Sequence, residues 1–257
     1  MEKIFFTSPN LNEIKWLKHG FFTRNGGVSK GIYKTLNCSF NSKDSKQNIL
    51  QNRNIVLNHL NIANSSLFIP NQVHGNRAEL VTNRNQTKNI NADALITKTN
   101  QISIGILTAD CAPLLIVDKK MKIISNIHCG WKGTLNGVIE NSINKMMELG
   151  STKKNLIAAI GPCISPKSYE VKKDFVDNFK KTEKNIRDYF ILGDEQSIFF
   201  NLPLYIERKL KKNGVGDIFT LNIDTYSNEK IFFSYRKSVH NNDIDYGRQL
   251  TILAVIN

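Results

Sequence analysis

Apolar positions along the chain follow two periods. From residue 92 to residue 128 four runs come close together: Ala92–Thr97, Ile102–Thr108, Leu114–Asp118 and Ile123–His128, separated only by short polar turns. These read as strands and form a strand-rich centre. Lys3–Phe6, Gly20–Thr23, Leu67–Gln72 and Ala78–Thr82 read as strands before it, with Asn25-Gly26-Gly27 as a turn. Leu156–Ile160 reads as a buried strand after it. Ile218–Ile223, Lys230–Tyr235 and Leu250–Ile256 complete the strands, with a helix as the alternative for the last. A period near 3.6 marks Asp44–Leu60 as a helix, through Ile49, Ile55, Val56, Leu57 and Leu60. It also marks Gly133–Leu149, whose apolar side is Val138, Ile139, Ile143, Met146 and Met147, with Gly150 as its stop. Val171–Phe179 and Leu202–Lys212 read as helices. No internal repeat, low-complexity stretch or Pro/Gly/Ser linker interrupts the pattern. The expectation is one α+β domain spanning residues 1–257.

Composition narrows the class. At 257 residues and 40% hydrophobic, the chain is too apolar for intrinsic disorder. Folding at this size buries roughly 70% of the unfolded surface, so no disulfide or metal staple is needed. The longest apolar runs, such as Ala112–Val117 and Leu250–Ile256, fall short of a bilayer span. Met1–Phe6 lacks the apolar core of a signal peptide, and Cys38, Cys111, Cys129 and Cys163 are spread as reduced thiols. A cytoplasmic protein is expected.

The net charge is +13, which suggests an anionic partner. The basic residues are diffuse, however. Their densest groups are Lys172-Lys173, Lys180-Lys181 and Arg208-Lys209 with Lys211-Lys212, the last on the solvated face of a helix. No helix-turn-helix, zinc finger, RNP or KH signature is present. Neither a specific nucleic-acid partner nor a membrane is expected.

Candidate chemistry gathers at strand ends. His74, Cys111 and His128 each stand where a strand runs into a Gly or Pro turn. Two imidazoles and a thiolate suit zinc and leave a fourth position for water or substrate. Spacings of 37 and 17 residues are no local metal signature, so two other readings stand beside this one. One is a buried cysteine with two satisfied core histidines. The other is a Cys–His pair with Cys111 as nucleophile. Asp110 and Cys111 would face opposite ways on a regular strand, so both can serve one site only where the strand ends or kinks. Pro113 makes that plausible; otherwise Asp110 caps a turn. Cys129 and Cys163 read as small core residues. Arg24 precedes Gly26-Gly27, a backbone that can approach an anion closely, or else it is a surface arginine.

In order along the chain stand His19-Gly20-Phe21-Phe22-Thr23-Arg24-Asn25-Gly26-Gly27-Val28-Ser29, Gln72-Val73-His74-Gly75, Ala92-Asp93-Ala94-Leu95-Ile96-Thr97 and Leu107-Thr108-Ala109-Asp110-Cys111. His128-Cys129-Gly130-Trp131-Lys132-Gly133, Gly161-Pro162-Cys163-Ile164, Tyr169-Glu170-Val171, Phe233-Ser234-Tyr235-Arg236 and Gly247-Arg248-Gln249 follow. Together these resemble the YfiH-like (laccase-domain, polyphenol oxidase) family. Its bacterial members are also called peptidoglycan editing factors, and it includes purine nucleoside phosphorylases.

The resemblance implies a single-domain layered α/β sandwich with a mixed central sheet. It implies zinc held by His74, Cys111 and His128, whereas the older oxidase label would need copper. It implies purine nucleosides and phosphate as partners: phosphorolysis of adenosine, inosine, guanosine and methylthioadenosine, with deamination of adenosine. Asp110 and Cys111 are then the catalytic candidates, Asp110 as a base or an orienting group. Arg24 is the first candidate for phosphate, with Lys132, Arg236 and Arg248 behind it. The chain departs from the family at Cys129 and Lys132, where Ala-Gly-Trp-Arg-Gly is usual after the last histidine. Lysine keeps the charge and loses the two-pronged grip. The competing expectations are a peptidoglycan-precursor editing hydrolase, a metal-independent hydrolase using Cys111, and a non-catalytic basic binding protein.

Overall fold

In the computed structural model, which describes residues 3–63, 65–87 and 89–256, the closely spaced apolar runs are the middle strands of two stacked sheets. The first half of the chain gives β1 (Phe5–Phe6), α1 (Pro9–Asn12), β2 (Leu17–Phe22), α2 (Lys46–His59), β3 (Ser66–Phe68), β4 (Ala78–Leu80), β5 (Ala94–Thr97), β6 (Ile102–Thr108), β7 (Ala112–Asp118) and β8 (Ile123–Cys129). The second half gives α3 (Trp131–Leu135), α4 (Val138–Glu148), β9 (Leu156–Ile160), β10 (Glu170–Val171), α5 (Lys173–Lys180), β11 (Phe190–Leu192), β12 (Ile198–Phe200), α6 (Leu202–Lys212), β13 (Asp217–Thr220), α7 (Tyr235–His240) and β14 (Gln249–Val255).

One sheet has the order β1-β2-β14-β6-β3 and the other β13-β9-β7-β8-β5-β4. Both are mixed: β3/β6, β4/β5 and β9/β13 pair parallel, and the remaining pairs are antiparallel.

Side-chain alternation sorts the strands into layers. Leu115 and Val117 of β7, Ile124 of β8 and Leu95 of β5 face Ile102 and Ile104 of β6, Phe21 of β2 and Leu253 of β14. The intervening Leu114, Ile116, Ala94, Ile96 and Ile127 face outward onto Ile139, Ile143 and Met146 of α4 and Ile206 and Leu210 of α6. On the far side, Phe22, Leu107, Leu250 and Ile252 pack under Val56 and Leu57 of α2. The result is a layered α/β sandwich in which β6, β7, β8 and β14 are buried at every position. Strands covered on both faces must be apolar at nearly every residue, which is why these runs were so legible. Asn126 is an exception with a use: its Nδ2 donates to Ile104 O (3.0 Å) and Thr251 O (2.9 Å) of the opposite sheet, tying the two sheets together. Among the described residues, no helix is long and apolar enough to cross a membrane.

Several expectations change. The single helix over Gly133–Leu149 is two, α3 and α4, broken at Gly137 with φ +94°. Lys230–Tyr235 is not a strand. Phe232 and Phe233 are buried in a turn, and Ser234 then caps α7 by accepting from Lys237 N. Val171 belongs to β10, and α5 begins only at Lys173. β10, β12 and β11 make a small antiparallel sheet whose two- and three-residue strands are too short to carry a period. The C-terminal run is strand β14, between β2 and β6.

Candidate metal centre and its two cavities

The register of β7 on β8 brings two candidate ligands together. Ala112 pairs with Cys129 and Pro113 with His128, so Cys111, one residue before β7, lies beside His128 at the end of β8. His74 comes from the turn that leads into β4. Its backbone is left-handed (φ +55°), and its ring lies 4.7 Å from that of His128, nearly edge-on. Ligand atoms of His74, Cys111 and His128 all lie within 4.8 Å of one another. His128 is buried, Cys111 half-buried and His74 exposed, so the group opens to solvent on the His74 side.

Asp110 has φ +87°, and this kink resolves the parity problem of adjacent side chains. Cys111 turns to the histidines, while the Asp110 carboxylate turns inward. Its Oδ1 accepts from Thr225 Oγ1 (2.7 Å), and its Oδ2 accepts from Ser234 Oγ (3.0 Å) and Arg236 N (2.7 Å). Burial raises its pKa against the pull of those donors. Asp110 therefore joins the start of β7 to the segments that enter and begin α7.

Asp93, in the Ala92–Thr97 run, bonds to both histidines of the centre. It is fully buried before β5. Its Oδ1 meets His128 Nδ1 at 2.8 Å and accepts His74 N at 3.0 Å, while Oδ2 accepts Gly75 N (2.7 Å) and Val73 N (3.2 Å). The one signal in the sequence was a carboxylate inside the apolar run Ala92–Ile96. Burial opposes its ionisation, but the bond from His128 and the amide donors leave the carboxyl below its usual range. His128 is pushed up to about 9: burial disfavours the charged ring, and negative charge on Cys111 together with the Asp93 bond outweighs it. Burial and the neighbouring His128 push His74 the other way. Divergent shifts in one small cluster are typical of functional sites.

The residues present fit a metal. The donor set is two imidazoles and one sulfur, suited to zinc and also accepted by copper. Space is kept for it: a Cβ at Gly130 would stand 2.8 Å from His74 Nδ1 and 3.2 Å from Cys111 Sγ. Cys129 and Cys163 lie in the apolar layer under α4 and α6, as expected of small core residues.

The triad sits at the seam of two cavities. One, of about 590 Å³, is walled by Trp131, Tyr169, Phe175, Ile164 and Leu202, with Arg236 at its side. The other, of about 400 Å³, is more polar and includes Ser39, Gln72, Thr108, Tyr246 and Arg248. His74, Ala109, Cys111 and Tyr235 line both. The aromatic walls are not legible in the sequence, because only the fold brings the Trp131 and Phe175 rings together, with centroids 4.7 Å apart and planes tilted by 49°.

The basic candidates separate. Arg248 lines the polar cavity, lies over the Tyr246 ring at 4.1 Å and donates from Nη1 to Ser39 Oγ (3.1 Å) and Asn41 O (3.3 Å). Arg236 lines the aromatic cavity and donates to Glu170 O (2.9 Å). Lys132 is exposed and lines neither cavity, although its charge reaches His74. Arg24, the first candidate for phosphate, lines neither cavity. Its Nε donates to Lys34 O (2.8 Å), Nη1 to Glu229 O (2.8 Å) and Nη2 to Ile32 O (3.3 Å), and it lies 4.4 Å over Phe233 beside a separate small cavity. It clasps loops together.

Comparison with known proteins places the chain in a family. Residues 18–256 match the family described as multi-copper polyphenol oxidoreductase laccase. A purine nucleoside phosphorylase of Rickettsia conorii is 37% identical over 224 residues, 84% of this chain and 91% of the relative. One from Deinococcus radiodurans is 33% identical over 230 residues, 90% of this chain and 86% of the relative. A solved Neisseria meningitidis protein has a TM-score of 0.87 at 27% identity, covering 99% of this chain and 100% of that one. Bacillus licheniformis YfiH shares the fold, with a TM-score of 0.86 at 24% identity over 98% of each chain. On a match that spans nearly the whole chain, this protein belongs to the YfiH-type laccase-domain family.

Proposed function

We propose that this protein is a zinc-dependent purine nucleoside phosphorylase that also deaminates adenosine, acting in the cytoplasm on adenosine, inosine, guanosine and methylthioadenosine. The observation that carries this reading is the His74–Cys111–His128 cluster at the seam between an aromatic cavity and a polar one containing an arginine. Relatives that match most of the chain carry the name purine nucleoside phosphorylase. Four free cysteines suit a reducing compartment.

The purine stacks in the aromatic cavity against Trp131 and Tyr169. Phosphate enters the polar cavity, where Arg248 has guanidinium donors beyond the one held by Ser39 and Asn41. Thr108 Oγ1, on that cavity's wall, has no hydrogen-bond partner among the described residues. Ribose C1′ then lies at the seam, near Tyr235. In phosphorolysis a phosphate oxygen bonds to C1′ as the bond to purine N9 breaks, and the purine leaves with the electron pair and takes a proton. In deamination water adds at C6 and ammonia leaves. His74, Cys111 and His128 would hold the zinc, which would supply Lewis-acid polarisation. Asp110, with three donors on its carboxylate, orients Cys111 and the Arg236 backbone.

The test combines metal analysis with nucleoside assays. The wild type should carry about one zinc per chain and cleave inosine only when phosphate is present. Cys111→Ala should lose the metal and both activities, while Cys129→Ala keeps them. Arg248→Ala should raise the phosphate KM roughly 30-fold, the loss of about 2 kcal/mol from one charge-assisted contact, and leave deamination nearly unchanged. Stoichiometric copper with phenol oxidation would overturn the reading. A Cys111→Ala protein that keeps its zinc and loses activity would make Cys111 a nucleophile instead.

A further inference from the structure

The two histidines of the cluster come from different parts of the chain, a loop turn and the end of β8, yet both are referred to one carboxylate. Asp93 is fully buried and uses both of its oxygens. Oδ1 takes the His128 ring nitrogen at 2.8 Å and the His74 amide at 3.0 Å, and Oδ2 takes the amides of Gly75 and Val73. The Asp93 carbonyl accepts His128 N at 2.7 Å, so this one residue holds His128 by backbone and side chain together.

Two consequences follow. A carboxylate can only accept, so the Nδ1 facing it is the protonated nitrogen of His128, and the lone pair for a metal is on Nε2. His74 is a non-glycine residue at φ +55°, a sparsely populated backbone region that persists only where the surroundings enforce it. The three consecutive amides bound by Asp93, from Val73 to Gly75, enforce it here.

We propose that Asp93 is the positioning residue of the metal centre, fixing the ring nitrogen that His128 presents and the turn that presents His74, so that one carboxylate sets the separation of both imidazole ligands. The proposal rests on the metal reading given above and concerns residues outside the ligand set. An asparagine at 93 has the same shape but only one acceptor oxygen. It cannot serve the ring and all three amides, and both histidines lose their reference together.

The test is zinc affinity measured by chelator competition on purified protein, with Asp93→Asn beside the wild type. Asp224→Asn is the control. Asp224 is a second loop-binding carboxylate, accepting from Ser165 N, Ser168 Oγ and Tyr226 N, and it touches none of the ligands. Asp93→Asn should bind zinc about 10- to 100-fold more weakly, and Asp224→Asn should bind it like the wild type. Equal affinity for Asp93→Asn and wild type would overturn the proposal, as would an equal loss in Asp224→Asn, which would mark a general loosening. A wild type without measurable zinc affinity would sink the metal centre itself, and the proposal with it. If Asp93→Asn does not fold, nitrogen NMR of the zinc-loaded wild type still decides. His128 should show a slowly exchanging proton on Nδ1, and an Nδ1 without a proton would overturn the proposal.

Discussion

Single atoms decide the metal centre. Gly130 has φ −75°, which any residue adopts, so its requirement for glycine is one of space. A methyl group there meets His74 Nδ1 at 2.8 Å and Cys111 Sγ at 3.2 Å. His74 is exposed and can swing outward, which relieves the clash by dispersing the cluster. Gly130→Ala is therefore expected to cost little in folding, because alanine also restricts the unfolded chain by about 0.4–1 kcal/mol. It should lose at least tenfold in zinc affinity and activity. Urea unfolding beside zinc titration checks both halves, and an active, zinc-replete Gly130→Ala would show that the cluster has slack. Arg24 and Arg248 make the complementary point. Both are arginines near glycine, and only the partners of their nitrogens distinguish a loop clasp from a side chain that lines a cavity.

At the scale of elements, the break between α3 and α4 separates two tasks. α3 carries Trp131 to the aromatic cavity and lies so close to the His74 turn that a Cβ on Gly133 would meet Gly75 O at 2.5 Å. α4 lays Val138, Ile139, Ile143 and Met146 on the sheet. A continuous helix could not do both, and Gly137 makes the turn at φ +94°. An L side chain in that conformation costs roughly 1–2 kcal/mol. Gly137→Ala should lower the unfolding free energy by that amount, read as a lower urea midpoint with the m-value unchanged. A midpoint equal to the wild type would mean that the helices meet without need of a left-handed residue.

Acid stability belongs to the whole molecule. His19, on β2, is 5% exposed, and its Nε2 accepts Ser8 N at 2.8 Å. Burial pushes its pKa from 6.5 down to about 4. Between those values the unfolded chain takes up a proton that the folded chain refuses. The contribution is full above about pH 6.5 and is lost as pH falls toward 4, in all about 3 kcal/mol. In metal-free protein, His19→Gln keeps a hydrogen-bond acceptor and removes the titration. Between pH 7 and pH 5 the wild type should lose roughly 2 kcal/mol more stability than His19→Gln. Parallel pH profiles for the two proteins would assign acid sensitivity to other groups.

Read from the sequence alone, the fold class, the central strands and the chemical types of the candidate ligands were already determined. Strands buried on both faces must be apolar throughout, and periodicity is a local property that a window of ten residues displays. His74, Cys111 and His128 were visible as capable side chains at strand ends, but separations of 37 and 17 residues leave open whether they meet. That was decided by the pairing of Ala112 with Cys129 and by the Asp110 kink. The resemblance to a family named the set before the geometry did. Short or irregular pieces were not legible: Phe232 and Phe233 look like strand and are a buried turn, and β10–β12 are too brief to show a period. Neither the Asp93 hub nor the fate of Arg24 could be read in advance. Which donor meets which acceptor depends on segments that approach only in the folded chain, and no local pattern encodes that approach.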